Sequence, residues 1–217
     1  MQSIQTVGII GAGTMGNGIA QACATCGIDV VMVDINQAAV DKGLATVSGS
    51  LDRLIKKEKL TADQKTAALA RIKTSTEMRA LVGSQLVIEA ATENETLKVQ
   101  ILQQLDQLLP ADTLIASNTS SISITKLAAA TSRPSQFIGM HFFNPVPMMA
   151  LVEIIRGLQT SDATHDAVHA LAVALGKTPI TVKNAPGFVV NRILVPMINE
   201  AFFVLSEGLA TPEAIDE

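Results

Sequence analysis

The chain has 217 residues, 48% of them apolar and 17% charged, which is enough to bury a sizeable core and excludes the disordered and low-complexity classes. A net charge of −4 leaves no basic footprint for nucleic acid. The N-terminus MQSIQTVGII lacks a basic region ahead of an apolar run, and no run of about 18 apolar residues predicts a membrane span, so a cytoplasmic protein is expected.

In chain order, short β-branched runs alternate with longer helical ones. IQTVGII reads as a strand, residues 14–26 as a helix, and IDVVMVD as a second strand. Residues 37–59 and 62–70 read as helices, followed by QLVIEA, a helix near 95–108, and the strand TLIAS. FIGMHF and LVEIIRG follow, then a helix from Asp162 to Leu175 and the last strand, TPITVK. This alternation predicts an α/β protein with a Rossmann-like doubly wound, mostly parallel sheet. The break at Asn184-Ala-Pro-Gly187 divides it into a nucleotide-binding domain over 1–183 and the first part of an all-helical C-terminal domain over 184–217. There, FVVNRILVPMINEAFFVLSEG reads as an apolar helix closed by Gly208, and Thr211-Pro212-Glu213 as the start of another that is cut off at Glu217. One apolar helix and the beginning of a second cannot bury each other's faces, so the second domain is expected to be truncated or completed by oligomerisation.

Two motifs are set aside. Cys23 and Cys26 have no second pair for a zinc site and are expected to be buried on a helix facing the sheet. His165 and His169 mimic the H-E-x-x-H spacing, but Asp166 replaces the glutamate and no third ligand follows, so both are expected to face solvent and no metal is expected.

The first strand runs into Gly11-Ala12-Gly13-Thr14-Met15-Gly16, a G-x-G-x-x-G turn at the mouth of a helix. The first glycine permits the tight turn, the second lets a pyrophosphate approach the backbone, and the third lets helix and strand pack closely. Asp34 closes the second strand about 20 residues on, where a carboxylate accepts hydrogen bonds from ribose hydroxyls and repels a 2′-phosphate, so the expected cofactor is NAD. A histidine such as His141 in GMHFFNPVP is, taken alone, more often a hydrogen-bonded core residue than a catalytic one.

GAGTMGNGIAQ, EAATEN, SNTSSISI, HFFNPVP and NAPGFVVNR, in that order, resemble the NAD-dependent 3-hydroxyacyl-CoA dehydrogenase family. The resemblance implies oxidation of an L-(S)-3-hydroxyacyl-CoA, a short one such as 3-hydroxybutyryl-CoA, to the 3-ketoacyl-CoA, or the reverse reduction of acetoacetyl-CoA. It assigns His141 as catalytic base, Glu153 as its carboxylate partner, and Ser120 and Asn191 to catalysis and substrate binding. It also assigns Glu93, Lys98, Ser120 and Asn144 to the cofactor, and Ser50 and Lys57 to coenzyme A. An alcohol gives up hydride only as it loses its proton, and an imidazole with an ordinary pKa of about 6.5 can take that proton near neutral pH. Family members continue for roughly 65 to 70 residues more, the size of a helical domain, and the complete protein is expected to be a homodimer. Two other functions fit the same motifs: a dehydrogenase of a free hydroxy acid or sugar acid, and a nucleotide-binding protein without turnover.

Overall fold

Strand β1 (Thr6–Ile10) is TVGII, with Val7, Ile9 and Ile10 buried, as expected of a strand covered on both faces. Parallel neighbours flank it on either side, β2 (Asp29–Val33) and β4 (Leu86–Glu89), in the computed structural model, which describes residues 3–217. Met1 and Gln2 of the N-terminal stretch lie outside the described residues. Eight strands form one sheet in the order β3-β2-β1-β4-β5-β6-β7-β8, with β3 at Ile72–Ser75, β5 at Leu114–Ser117, β6 at Phe137–Phe142, β7 at Leu151–Arg156 and β8 at Thr178–Lys183. The order reverses between β1 and β4, so the crevice beyond their carboxyl ends is the switch point where such sheets bind ligands.

Pairing is parallel everywhere except between β6 and β7. The residues that join those two strands are too few for a crossover helix, so the chain doubles back. This antiparallel register sets His141 directly opposite Glu153.

Helices cover both faces. On one, Ile19 and Cys23 of α1 (Thr14–Thr25), Val47 and Leu51 of α2 (Gln37–Lys56), Ala68 of α3 (Ala62–Ala70), and Val168 and Leu171 of α6 (Asp162–Ala174) pack against the sheet. On the other, Leu102 and Leu105 of α4 (Glu95–Leu108) and Ile124 and Leu127 of α5 (Ile124–Ala128) do the same. Each fully buried Leu or Ile of this kind contributes about 1.5–3 kcal/mol of transfer free energy. Helix α2 starts at Asn36, whose side chain accepts the Ala39 N–H, and ends at Lys57 because Glu58 turns left-handed at φ 56°, so residues 57–59 expected in the helix fall outside it. Helices α7 (Val190–Ser206) and α8 (Pro212–Asp216) close the chain, with the Thr211 hydroxyl capping α8 as expected. None of the residues of α7 is buried, and Ile193, Val195, Phe202 and Phe203 stand exposed.

Two elements escape the sequence pattern. β3 is an edge strand of IKTS with one buried side chain, too short and too polar to show alternation. Helix α5 reads ITKLA, whose β-branched start favours a strand; the helix is set by its Ser123 cap and by Asn184, which accepts the Ile124 N–H at 2.8 Å.

Two expectations about side chains are corrected. Cys26 is exposed at the end of α1, past the last turn that faces the sheet, while Cys23 is buried. His165 and His169 are half-buried rather than solvent-facing, because α6 lies beside β8 and the His165 ring meets the Thr181 hydroxyl at 2.8 Å. Among the described residues no group of three metal-binding side chains forms.

Candidate active site

The glycine turn leaves β1 with Gly11 at φ 97°, and its N–H donates to the Val33 carbonyl at 2.8 Å. A side chain at Gly16 would strike the Gly11 carbonyl at 1.7 Å, so only glycine lets α1 pack onto the turn. At Gly13 the reverse holds: a Cβ there would meet nothing within 4 Å. Helix α1 opens at Gly13 without a side-chain cap, leaving its first N–H groups and positive dipole end to an anion. Both features suit a pyrophosphate. A cavity of about 350 Å³ lies there, lined by Ala12, Gly13, Thr14, Asn17, Asp34, Ala39, Lys42 and Thr46.

Asp34 stands where the acidic residue was expected. One of its oxygens accepts the Ala12 N–H at 2.7 Å and the other the Ile35 N–H at 2.7 Å. The carboxylate therefore fixes the glycine turn as well as facing the cavity. Lys42 was not foreseen; it is one of many lysines on exposed helix faces, and only the packing of α2 beside α1 brings it to this wall.

Further along the same sheet edge, Glu93 accepts the Thr119 hydroxyl at 2.8 Å and the Ser120 N–H at 3.0 Å, joining the loops after β4 and β5. Lys98 is 1% exposed, and its ammonium is paired with the fully buried Glu89. Glu89 also accepts the Ser117 hydroxyl at 2.9 Å and the Ala91 N–H at 2.9 Å. A buried cluster thus lies beneath the two loops that carry Glu93 and Ser120. Asn118, another residue that the sequence did not single out, accepts the Phe142 N–H at 2.9 Å and ties the β5 loop to β6.

His141 and Glu153 meet across the β6–β7 register, Nδ1 to Oε2 at 2.7 Å. Glu153 is fully buried, and its other oxygen accepts the N–H groups of Val189 at 2.9 Å and Val190 at 3.0 Å. The His141 ring packs between Phe143, centroid at 4.5 Å, and Phe188, centroid at 5.9 Å. Asn191, in the first turn of α7, donates to the Ser120 carbonyl at 3.3 Å. Hydrogen bonds and helix α7 therefore connect Glu93, Ser120, Asn191, Glu153 and His141 into one continuous network.

Asn144 is exposed on the loop after β6. That loop is held from behind by Lys177, which donates to the carbonyls of Val146 at 2.5 Å and Met149 at 2.8 Å. Burial lowers the Lys177 pKa from its ordinary value, against the opposing pull of Cys26 and Cys23. Ser50 and Lys57 sit apart from the histidine, half-buried on α2 and exposed at its end, the latter beside Arg53, Lys56 and Lys59. Larger cavities, of about 450 Å³ between the N-terminal segment and α6 and about 630 Å³ between α7 and α8, hold no comparable convergence of polar groups.

A dinucleotide cradle and a buried histidine–carboxylate pair along one sheet edge have the makings of a dinucleotide-linked dehydrogenase. Residues 6–185 match the NAD-binding domain of 3-hydroxyacyl-CoA dehydrogenase, and residues 187–217 match its C-terminal domain. The chain belongs to the 3-hydroxyacyl-CoA dehydrogenase family and is an NAD-dependent oxidoreductase. It is 49% identical to 3-hydroxybutyryl-CoA dehydrogenase of Bradyrhizobium diazoefficiens over 213 residues, covering 98% of this chain and 73% of the relative. The crystal structure of (S)-3-hydroxybutyryl-CoA dehydrogenase PaaH1 from Ralstonia eutropha is 72% identical with a TM-score of 0.95, the match covering 98% of this chain and 75% of the other. A second structure, an NAD-dependent dehydrogenase of 5-formyl-3-hydroxy-2-methylpyridine 4-carboxylic acid, is 34% identical with a TM-score of 0.89, over 98% of this chain and 69% of the other.

Proposed function

We propose that the chain oxidises short L-(S)-3-hydroxyacyl-CoA thioesters, 3-hydroxybutyryl-CoA first among them, to 3-ketoacyl-CoA, or runs the reverse reduction of acetoacetyl-CoA, with His141 as general base. The observation that carries this is the 2.7 Å contact between His141 Nδ1 and a Glu153 carboxylate that is wholly buried. A carboxylate only accepts, so Nδ1–H donates to it and Nε2 keeps the lone pair that takes the alcohol proton. Glu153 then stabilises the imidazolium as it forms. NAD would supply the hydride acceptor; Gly11, Ala12, Gly13, Thr14, Met15, Gly16 and Asp34 would hold its adenosine and pyrophosphate half, and Ser120 and Asn144 its nicotinamide half. Glu93 would contact it from the loop after β4, while Lys98, turned inward to Glu89, would act on the cofactor only by supporting that loop from beneath. Ser120 and Asn191 hold the substrate oxygen, the contact between Asn191 and the Ser120 backbone supporting that pairing.

Coenzyme A falls to Ser50 and Lys57, where the exposed Arg53, Lys56 and Lys59 supply point charges for its phosphates. Division at residue 183/184, action as a homodimer once the helical domain is complete, and a cytoplasmic site belong to the same proposal. Among the described residues no helix is long and apolar enough to cross a membrane.

A free-acid substrate is the second reading, favoured by the 34%-identical dehydrogenase of a pyridine carboxylic acid. NADH consumption with acetoacetyl-CoA, free acetoacetate and a longer 3-ketoacyl-CoA separates the two. Turnover confined to the thioesters is expected; binding of NADH with turnover of free acetoacetate alone would reverse the choice.

A further inference from the structure

We infer that Phe188, Val189 and Val190, the turn into α7, are positioning residues for the histidine–glutamate pair, holding Glu153 by two backbone N–H groups and the His141 ring by an aromatic face. This rests on the proposed role of His141 as base.

Among the described residues the ionisable partner of Glu153 is His141; neither lysine nor arginine reaches it. A wholly buried carboxylate still needs hydrogen-bond donors, and Oε1 receives two, from Val189 and Val190. These are groups at the start of α7, where N–H donors have no partner within the helix and the dipole is positive. Glu153 is thereby held as an anion from one side while its other oxygen faces the imidazole.

The backbone leading into these donors is unusual. Gly187 has φ 75° and Phe188 φ 49°, and a left-handed phenylalanine is strained. The strain aims the next two N–H groups at one oxygen and turns the Phe188 ring inward, 4% exposed, to lie 5.9 Å from the His141 ring. Asn191 follows at once and binds the Ser120 carbonyl. One turn of chain thus touches the carboxylate, the imidazole and the serine loop. Any shift of α7 away from the sheet releases Glu153, so the seating of the helical segment controls the orientation of the acid–base pair.

The test is a double-mutant cycle in the full-length enzyme. Val190→Pro deletes one donor at the first helical position, and it also forces a shift at Val189, whose ψ of −51° lies in the helical region that a residue before proline avoids. The expected result is a kcat lower by about tenfold, the scale of one lost hydrogen bond to a charged group, with KM for NADH about unchanged. In the Glu153→Gln background the same substitution should change kcat no further. Effects that multiply, or wild-type kcat in Val190→Pro, would overturn the inference. If Glu153→Gln itself keeps full kcat, the base role proposed for the pair falls instead, and this inference with it. Amide hydrogen exchange probes the contact without altering the helix. In Glu153→Ala the Val189 and Val190 amides should exchange at least about tenfold faster, while that of Ile193, bonded to the Val189 carbonyl, keeps its rate. Equal exchange at Val189 and Val190 in both proteins would overturn it as well.

Discussion

Replacing Lys98 by methionine keeps most of the side-chain volume and removes the ammonium from Glu89. Both groups are at most 1% exposed, so the variant leaves a carboxylate buried with no counter-charge. Breaking a buried pair in this way costs about 3–5 kcal/mol. The Ser117 hydroxyl and Ala91 N–H still donate to Glu89, which puts the expected loss at the lower end, about 3 kcal/mol. For a chain of this length that is a fall in Tm of about 6–12 °C. Adding Glu89→Gln removes the stranded charge, and the double variant should recover most of the loss. Thermal and urea unfolding of wild type, both single variants and the double variant measure this directly. A Lys98→Met variant within about 1 kcal/mol of wild type, or a double variant no better than the single, would refute the claim that the pair is structural.

Three further outcomes follow from particular contacts. Asp34→Ala should narrow the preference for NADH over NADPH by about tenfold or more and raise the KM for NADH, because it removes both the carboxylate and the anchor of the Ala12 N–H; an unchanged preference places the ribose contact elsewhere. Burial pushes the Cys23 thiol up to about 12, with Cys26 adding to the shift and Lys177 opposing it, so at pH 8 a thiol reagent should modify Cys26 alone in the native protein and both cysteines in denaturant. Equal native reactivity would contradict this. Burial pushes the Asp106 pKa up, but the Ser132 N–H and the Arg133 guanidinium outweigh it and hold the carboxyl below its ordinary value. A depressed folded pKa stabilises above the unfolded value and is lost as pH falls through the folded one, so the stability gap between wild type and Asp106→Asn should close as pH drops below about 4. A gap that stays constant from pH 7 to 3 would show that the shift is absent.

Much of the architecture is legible in the sequence because strand and helix periods alternate cleanly from Thr6 to Lys183. The glycine turn is legible because Gly11 needs a positive φ, Gly16 has no room for a side chain, and Gly13 leaves open the space that a ligand would approach. What escapes is short or non-local. β3 and α5 have too few residues to show a period. The destination of Lys98 is hidden because EAATENETLK does not say whether the lysine turns outward to a ligand or inward to Glu89. The donors to Glu153 are backbone groups 36 and 37 residues away, and no side-chain pattern announces them. His141 and Glu153 could be named as partners from family resemblance, but their meeting depends on the antiparallel register of β6 and β7, which the periodicity of either strand alone does not specify.

The most direct measurement is single-turnover reduction of acetoacetyl-CoA by NADH in His141→Gln beside wild type, with NADH binding followed separately. The variant should lose at least about 100-fold in rate, the scale of a missing general acid–base group, while binding NADH as wild type does. A rate near wild type with NADH bound would contradict the account, leaving His141 as one more hydrogen-bonded histidine at the end of a strand.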